Sequence, residues 1–68
     1  MLLKSYLKKH KLTQEEFART MRVSKGLIWQ WLNGHTEITA ERAVEIERAT
    51  EGAVPREETR PDLYRRVA

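Results

Sequence analysis

Ser24-Lys-Gly-Leu-Ile-Trp-Gln-Trp-Leu-Asn-Gly34, SKGLIWQWLNG, carries both tryptophans of a 68-residue chain, two positions apart. Ser24 is a good helix N-cap, because its hydroxyl can accept from an amide of the first turn. Asn33-Gly34 is a good stop, because glycine takes the left-handed conformation at a helix end without steric cost. The stretch predicts a helix over about 25–33. At about 100° per residue with Leu27 at zero, Trp31 falls near 40°, Ile28 near 100° and Leu32 near 140°, and these four make one apolar face. Gly26, Trp29, Gln30 and Asn33 fall between about 200° and 300°, on the opposite face, with Lys25 at the border. Trp31 is therefore expected inside the protein and Trp29 outside it.

Upstream, Thr13-Gln-Glu-Glu16 reads as a capping box opening a helix over about 14–21, with Leu12 and Phe17 placed as a hydrophobic staple across its start. Phe17, Ala18 and Met21 face inward. Only a few residues separate the end of this helix from Ser24. A first helix over about 2–10 is expected from Leu3, Tyr6, Leu7 and His10 at the i, i+3, i+4, i+7 spacing of a buried stripe. A fourth helix over about 40–50 places Ala40, Ala43, Val44 and Ile46 inward, with Gly52 just past its end. Pro55 can open one more helical turn, and Arg60, preceding Pro61, is biased to an extended conformation. No strand pattern, internal repeat or low-complexity segment is visible. The reading is an all-α domain over 1–64, with four to five helices and a short irregular C-terminal tail, loose at 65–68.

Charge is unevenly distributed. Residues 1–33 carry seven Lys/Arg against two Glu, net +5, and residues 34–68 carry six against eight Asp/Glu, net −2. Such a basic half suits a polyanion, although a solvated surface gives the same count. The chain has no cysteine, which excludes disulfides and thiolate metal sites and suits a reducing compartment. It holds no run of about 18 apolar residues, and no signal peptide is read at its start. Two widely spaced histidines make no metal site, and Ser5 and Ser24 have no His/Asp arrangement beside them. No enzyme activity, cofactor or small-molecule substrate is expected.

The outward face of the third helix is unusual for a merely solvated one. Gln30 and Asn33 offer paired donors and acceptors suited to base edges, Gly26 allows close backbone approach, and Lys25 with the first helical amides can meet a phosphate. The alternative for Gln30 and Asn33 is a solvent-facing role, with Asn33 acting only in the helix end. Trp29 has three readings: contact with thymine methyls and sugars, an anchor for a protein partner, or a side chain lying over its neighbours. Lys8, Lys9 and Lys11 can contact phosphates or simply face water. Glu47, at the middle of the apolar side of the fourth helix, needs a partner; Arg60 is the candidate and Arg42 the runner-up, in a structural role.

Residues 14–33, QEEFARTMRVSKGLIWQWLN, resemble the helix-turn-helix unit of phage repressors and Cro proteins. With WLNG, AERAVEIERATEG and VPREETRPDLY, the likeness extends over about 13–64 to the YdaS-like and Cro-like regulators of phages and prophages. That group is similar in its Trp-Leu-x-Gly, Ile-Glu-x-x-Thr-x-Gly and Arg-Pro-Asp motifs. The resemblance implies a lambda-repressor-like fold, with 14–21 the supporting helix and 25–33 the recognition helix. It implies a sequence-specific DNA-binding regulator, a Cro-like repressor acting by operator occupancy in the bacterial cytoplasm. Lys25, Gly26, Trp29, Gln30 and Asn33 would read bases. Thr13, Gln14, Arg19, Arg22, Ser24, His35 and Thr36 would meet the DNA backbone, Gln14 alternatively bracing Gln30. One such unit covers few base pairs, so a weak homodimer on a pseudo-palindrome is expected, formed through the tail from Val54 onward (Val54, Leu63, Tyr64). The competing reading is an antitoxin or protein-binding adaptor that uses the Trp29 surface. Three positions depart from the family: Arg22 stands where the turn has glycine, Thr59 replaces a leucine, and Trp29 replaces a small or polar residue.

Overall fold

The computed structural model describes residues 1–64 and contains five helices, α1 (Leu3–Lys9), α2 (Gln14–Met21), α3 (Lys25–Leu32), α4 (Ala40–Ala49) and α5 (Arg56–Thr59), with no strand among the described residues. The expected tail at 65–68 lies outside the described residues.

Each of α2, α3 and α4 starts on a hydroxyl cap. Thr13 Oγ1 accepts from the Glu16 amide at 3.0 Å while Glu16 Oε1 accepts from the Thr13 amide at 3.0 Å, completing the capping box. Ser24 Oγ accepts from Leu27 at 3.1 Å and Thr39 Oγ1 from Arg42 at 3.2 Å. The Thr13 hydrogen bonds also hold the Glu16 carboxyl below its ordinary range.

The first four helices all end in the same way. The amides of Leu12, Val23, His35 and Gly52 return to the carbonyls of Leu7, Ala18, Gln30 and Glu47 at 2.8–2.9 Å. The preceding amides of Lys11, Arg22, Gly34 and Glu51 return to Lys8, Arg19, Trp31 and Arg48 at 3.1–3.4 Å. This is the paired bonding of a Schellman ending, which needs a left-handed residue. Gly34 supplies it as expected at φ +69°, but elsewhere Lys11 (φ 54°), Arg22 (φ 59°) and Glu51 (φ 53°) do so. A side chain in that region costs about 1 kcal/mol, which the closing of two orphan carbonyls offsets at each site. Arg22 is thus left-handed at the turn between α2 and α3, the position where the resemblance implies glycine.

The core joins Leu3 and Leu7 of α1, Phe17, Ala18 and Met21 of α2, Ile28 and Trp31 of α3, Ile46 of α4, and Val54. Ala18 is small enough to let α2 and α3 pack closely. The buried stripe of α1 is narrower than its spacing predicts. Tyr6 is half-buried with its ring edge toward Phe17, and His10 is exposed at the helix end, stacked on Tyr6.

The segment after α4 differs from expectation. Val54 is fully buried (0 % exposed), and its amide donates to the buried Thr50 Oγ1 at 3.1 Å. It is core and not a tail surface available for dimerisation. Tyr64 also turns inward, its hydroxyl donating to the Ala40 carbonyl at 3.2 Å and its ring lying under the Arg56 guanidinium. Of the three tail residues, Leu63 alone stays exposed. The physical reason is size. A chain this short buries a modest fraction of its surface, so apolar side chains beyond α4 are drawn into the one core.

Candidate nucleic-acid interface

The outward face of α3 follows the predicted wheel. Trp29 is 47 % exposed and Trp31 only 8 %, and Lys25, Gly26, Gln30 and Asn33 are all exposed. A methyl group added at Gly26 would meet nothing nearer than Ser24 Oγ at 3.9 Å. Packing within the protein therefore does not require glycine there, although glycine weakens a helix by about 1 kcal/mol. The bare backbone at Gly26 is exposed to solvent.

The side chains on this face are held by short-range contacts. Asn33 Nδ2 donates to the Trp29 carbonyl at 2.8 Å, the helix-end role that was the alternative to base reading. Thr36 Oγ1 donates to Gln30 Oε1 at 2.9 Å. His35 stacks on Trp29, ring centroids 5.0 Å apart and planes inclined by 31°. Gln14 does not brace Gln30. It is half-buried in a cleft of about 350 Å³ beside the indole, with Lys4, Leu7, Leu12, Trp29, Leu32 and Asn33.

Around this face lie cations and free hydroxyl protons. Thr13 and Ser24 use their oxygens as acceptors in the caps, which leaves their O–H groups to donate outward. Lys25 is exposed at the start of α3, beside Arg19 in a shallow cleft, whereas Arg22, also exposed, lies toward α4 with Arg42, Glu45 and Arg48. Arg19 meets Glu15 at 3.6 Å across two exposed side chains, a contact worth little in water and easily exchanged. Lys4 was not foreseen as part of this surface. Its place beside Trp29 comes from the packing of α1 against α3, which no local pattern encodes.

The expected Glu47–Arg60 pair is not formed. Glu47 Oε1 accepts from the Arg56 amide at 2.9 Å, and both its oxygens accept from the Arg56 guanidinium at 3.1 and 3.3 Å. These bonds hold the Glu47 carboxyl below its ordinary value and raise Arg56. Glu47 thus caps the first free amide of α5. Arg60, one turn later, grips Asp62 through two nitrogens at 2.7 and 3.0 Å and donates to the Ile38 carbonyl at 2.8 Å. Arg42 pairs with Glu45. Glu47→Gln is expected to lower Tm near neutral pH. A carboxyl with a depressed folded pKa stabilises above its unfolded value and loses that contribution as pH falls through the folded one. The gap in Tm between parent and variant should therefore close below the ordinary glutamate range, as thermal melts followed by circular dichroism at about pH 7 and about pH 3 would reveal. A constant gap would reject the ionic role.

A supporting helix, a tight turn and an outward-facing third helix define a small helix-turn-helix protein. Residues 13–68 match the family described as "Bacterial toxin YdaS", and the chain belongs to this family. The match starts at the α2 capping box, so α1 and Lys4 lie outside it. A protein of Escherichia coli (strain K12), described as "Putative transcriptional regulator YdaS", is 46 % identical over 50 residues, covering 74 % of this chain and 51 % of the relative. The chain thus spans about half the length of that curated relative. No solved structure matches.

Proposed function

We propose that the chain is a sequence-specific DNA-binding transcriptional regulator that sets α3 in the major groove of an operator and represses, as Cro proteins do, by occupying it. The observation that carries this reading is the outward face of α3, where an exposed indole and two amides flank a glycine that the protein's own packing leaves uncovered. The regulator named among its relatives supports it. Lys4, Arg19, Arg22 and Lys25, with the Thr13 and Ser24 hydroxyls, supply phosphate contacts, and Trp29 and Gln30 supply most of the base choice. Asn33 contributes through the helix end and its remaining oxygen. The working unit is a weak homodimer, completed on a pseudo-palindromic operator in the bacterial cytoplasm. No catalysis is part of this reading.

The exposed indole favours one second reading, a protein-binding adaptor or antitoxin that holds its partner on Trp29. Salt dependence separates the two. A dimer neutralising six to ten phosphates should lose roughly 10³–10⁵-fold in affinity between about 50 and 200 mM salt. Fluorescence anisotropy on a mixed-sequence duplex measures this directly. A flat response, or no binding at low salt, would overturn the DNA reading in favour of the adaptor.

A further inference from the structure

Resting on the DNA reading, we infer that His35 and Thr36 are positioning residues for sequence discrimination: the loop after α3 folds back and pre-sets the two long side chains that face the bases. Gly34 makes this possible. Its left-handed backbone at φ +69° turns the chain sharply, and the His35 amide closes on the Gln30 carbonyl at 2.9 Å. The next two side chains are thereby laid on the outer face of the helix they have just left. Thr36 reaches Gln30 Oε1 and His35 covers one side of the Trp29 indole.

Two adjacent loop residues thus engage two adjacent residues of the outward face. A free glutamine or tryptophan loses rotamer freedom when it settles on a base, which weakens affinity, and it can re-aim to suit a wrong base, which weakens discrimination. Holding it beforehand moves that loss into folding. The bond from Thr36 leaves the Gln30 Nε2 group without a protein acceptor among the described residues, and Oε1 keeps a second lone pair, so the amide remains able to meet a base edge. The stacked His35 leaves the opposite side of the indole open. In this arrangement His35 and Thr36 act through Trp29 and Gln30, and phosphate contact is not their main contribution.

The test uses the full chain and a randomised duplex pool. Selection with the parent protein and with Gln30→Ala and Trp29→Ala identifies which base positions each side chain reads. Competition binding then compares the four bases at those positions for Thr36→Val, Thr36→Ser and His35→Ala. Thr36→Val is expected to reduce discrimination about three- to tenfold at the Gln30 position alone. Thr36→Ser, which keeps the hydroxyl, should restore it. His35→Ala should reduce discrimination at the Trp29 position in the same way, and in each variant non-specific affinity should stay at the parent value and Tm should move only slightly. Undiminished discrimination in Thr36→Val overturns the inference. A uniform loss of affinity with a shallower salt dependence also overturns it and makes Thr36 a phosphate contact. If Gln30→Ala and Trp29→Ala alter no base position, the reading of α3 itself fails, which is a different result from a failure of the loop alone.

Discussion

Trp31→Ala is expected to leave the chain mostly unfolded at physiological temperature, whereas Trp29→Ala should move its melting transition only slightly. Removing a buried tryptophan costs about 3–5 kcal/mol, from lost transfer energy and the cavity left behind. A domain this small has total stability near the lower end of about 5–15 kcal/mol, so one such loss removes most of it. Trp31 sits among Leu3, Leu7, Phe17 and Ile28 in the same cluster, and the helices cannot close over its absence without breaking other contacts. Trp29 contributes mainly its stack on His35, about 1 kcal/mol or less. For Trp31→Ala the shift should be roughly 12–40 °C, at about 4–8 °C for each kcal/mol in a domain of this size. Far-ultraviolet circular dichroism melts of the two variants settle the matter. Equal shifts would mean that the wheel of α3 is rotated and that the proposed reading face does not exist.

Val54→Asp should likewise abolish folding near neutral pH. Val54 is fully enclosed by apolar side chains, and a carboxylate placed there would be cut off from water. Burying an unpaired ion costs several kcal/mol even after relaxation, comparable to the whole stability of the domain. Val54→Ala, which removes only two methyl groups, should cost about 2 kcal/mol and remain folded. The same pair of variants tests where any dimer forms. If Val54 lay on a tail surface shared by two copies, the aspartate variant would be a folded monomer. Gel filtration together with circular dichroism distinguishes that outcome from loss of the fold.

Much of this architecture was legible because its signals are local. The capping box at Thr13 and Glu16, the Ser24 cap and the Gly34 stop each depend on a few consecutive residues and on backbone sterics. The amphipathic wheel of α3 needs nothing beyond the helical repeat. Other features were not legible for equally concrete reasons. Lys11 and Glu51 end helices in a left-handed conformation that their side chains do not advertise. Glu47 had several arginines within plausible reach, and the start of α5 decided for Arg56 by offering a backbone amide together with the guanidinium. Lys4 joins the Trp29 cleft through a contact between helices distant in the chain.

The amino-acid order by itself determined the helices, the caps at Thr13 and Ser24 and which tryptophan faces out, since these follow from spacing along one backbone. Only the tertiary structure decided that Val54 completes the core, that Glu47 pairs with Arg56, and that His35 and Thr36 lie back against Trp29 and Gln30. Those outcomes depend on which surfaces meet in space and on how backbone and side-chain groups compete for the same partner, and helical periodicity carries no record of either.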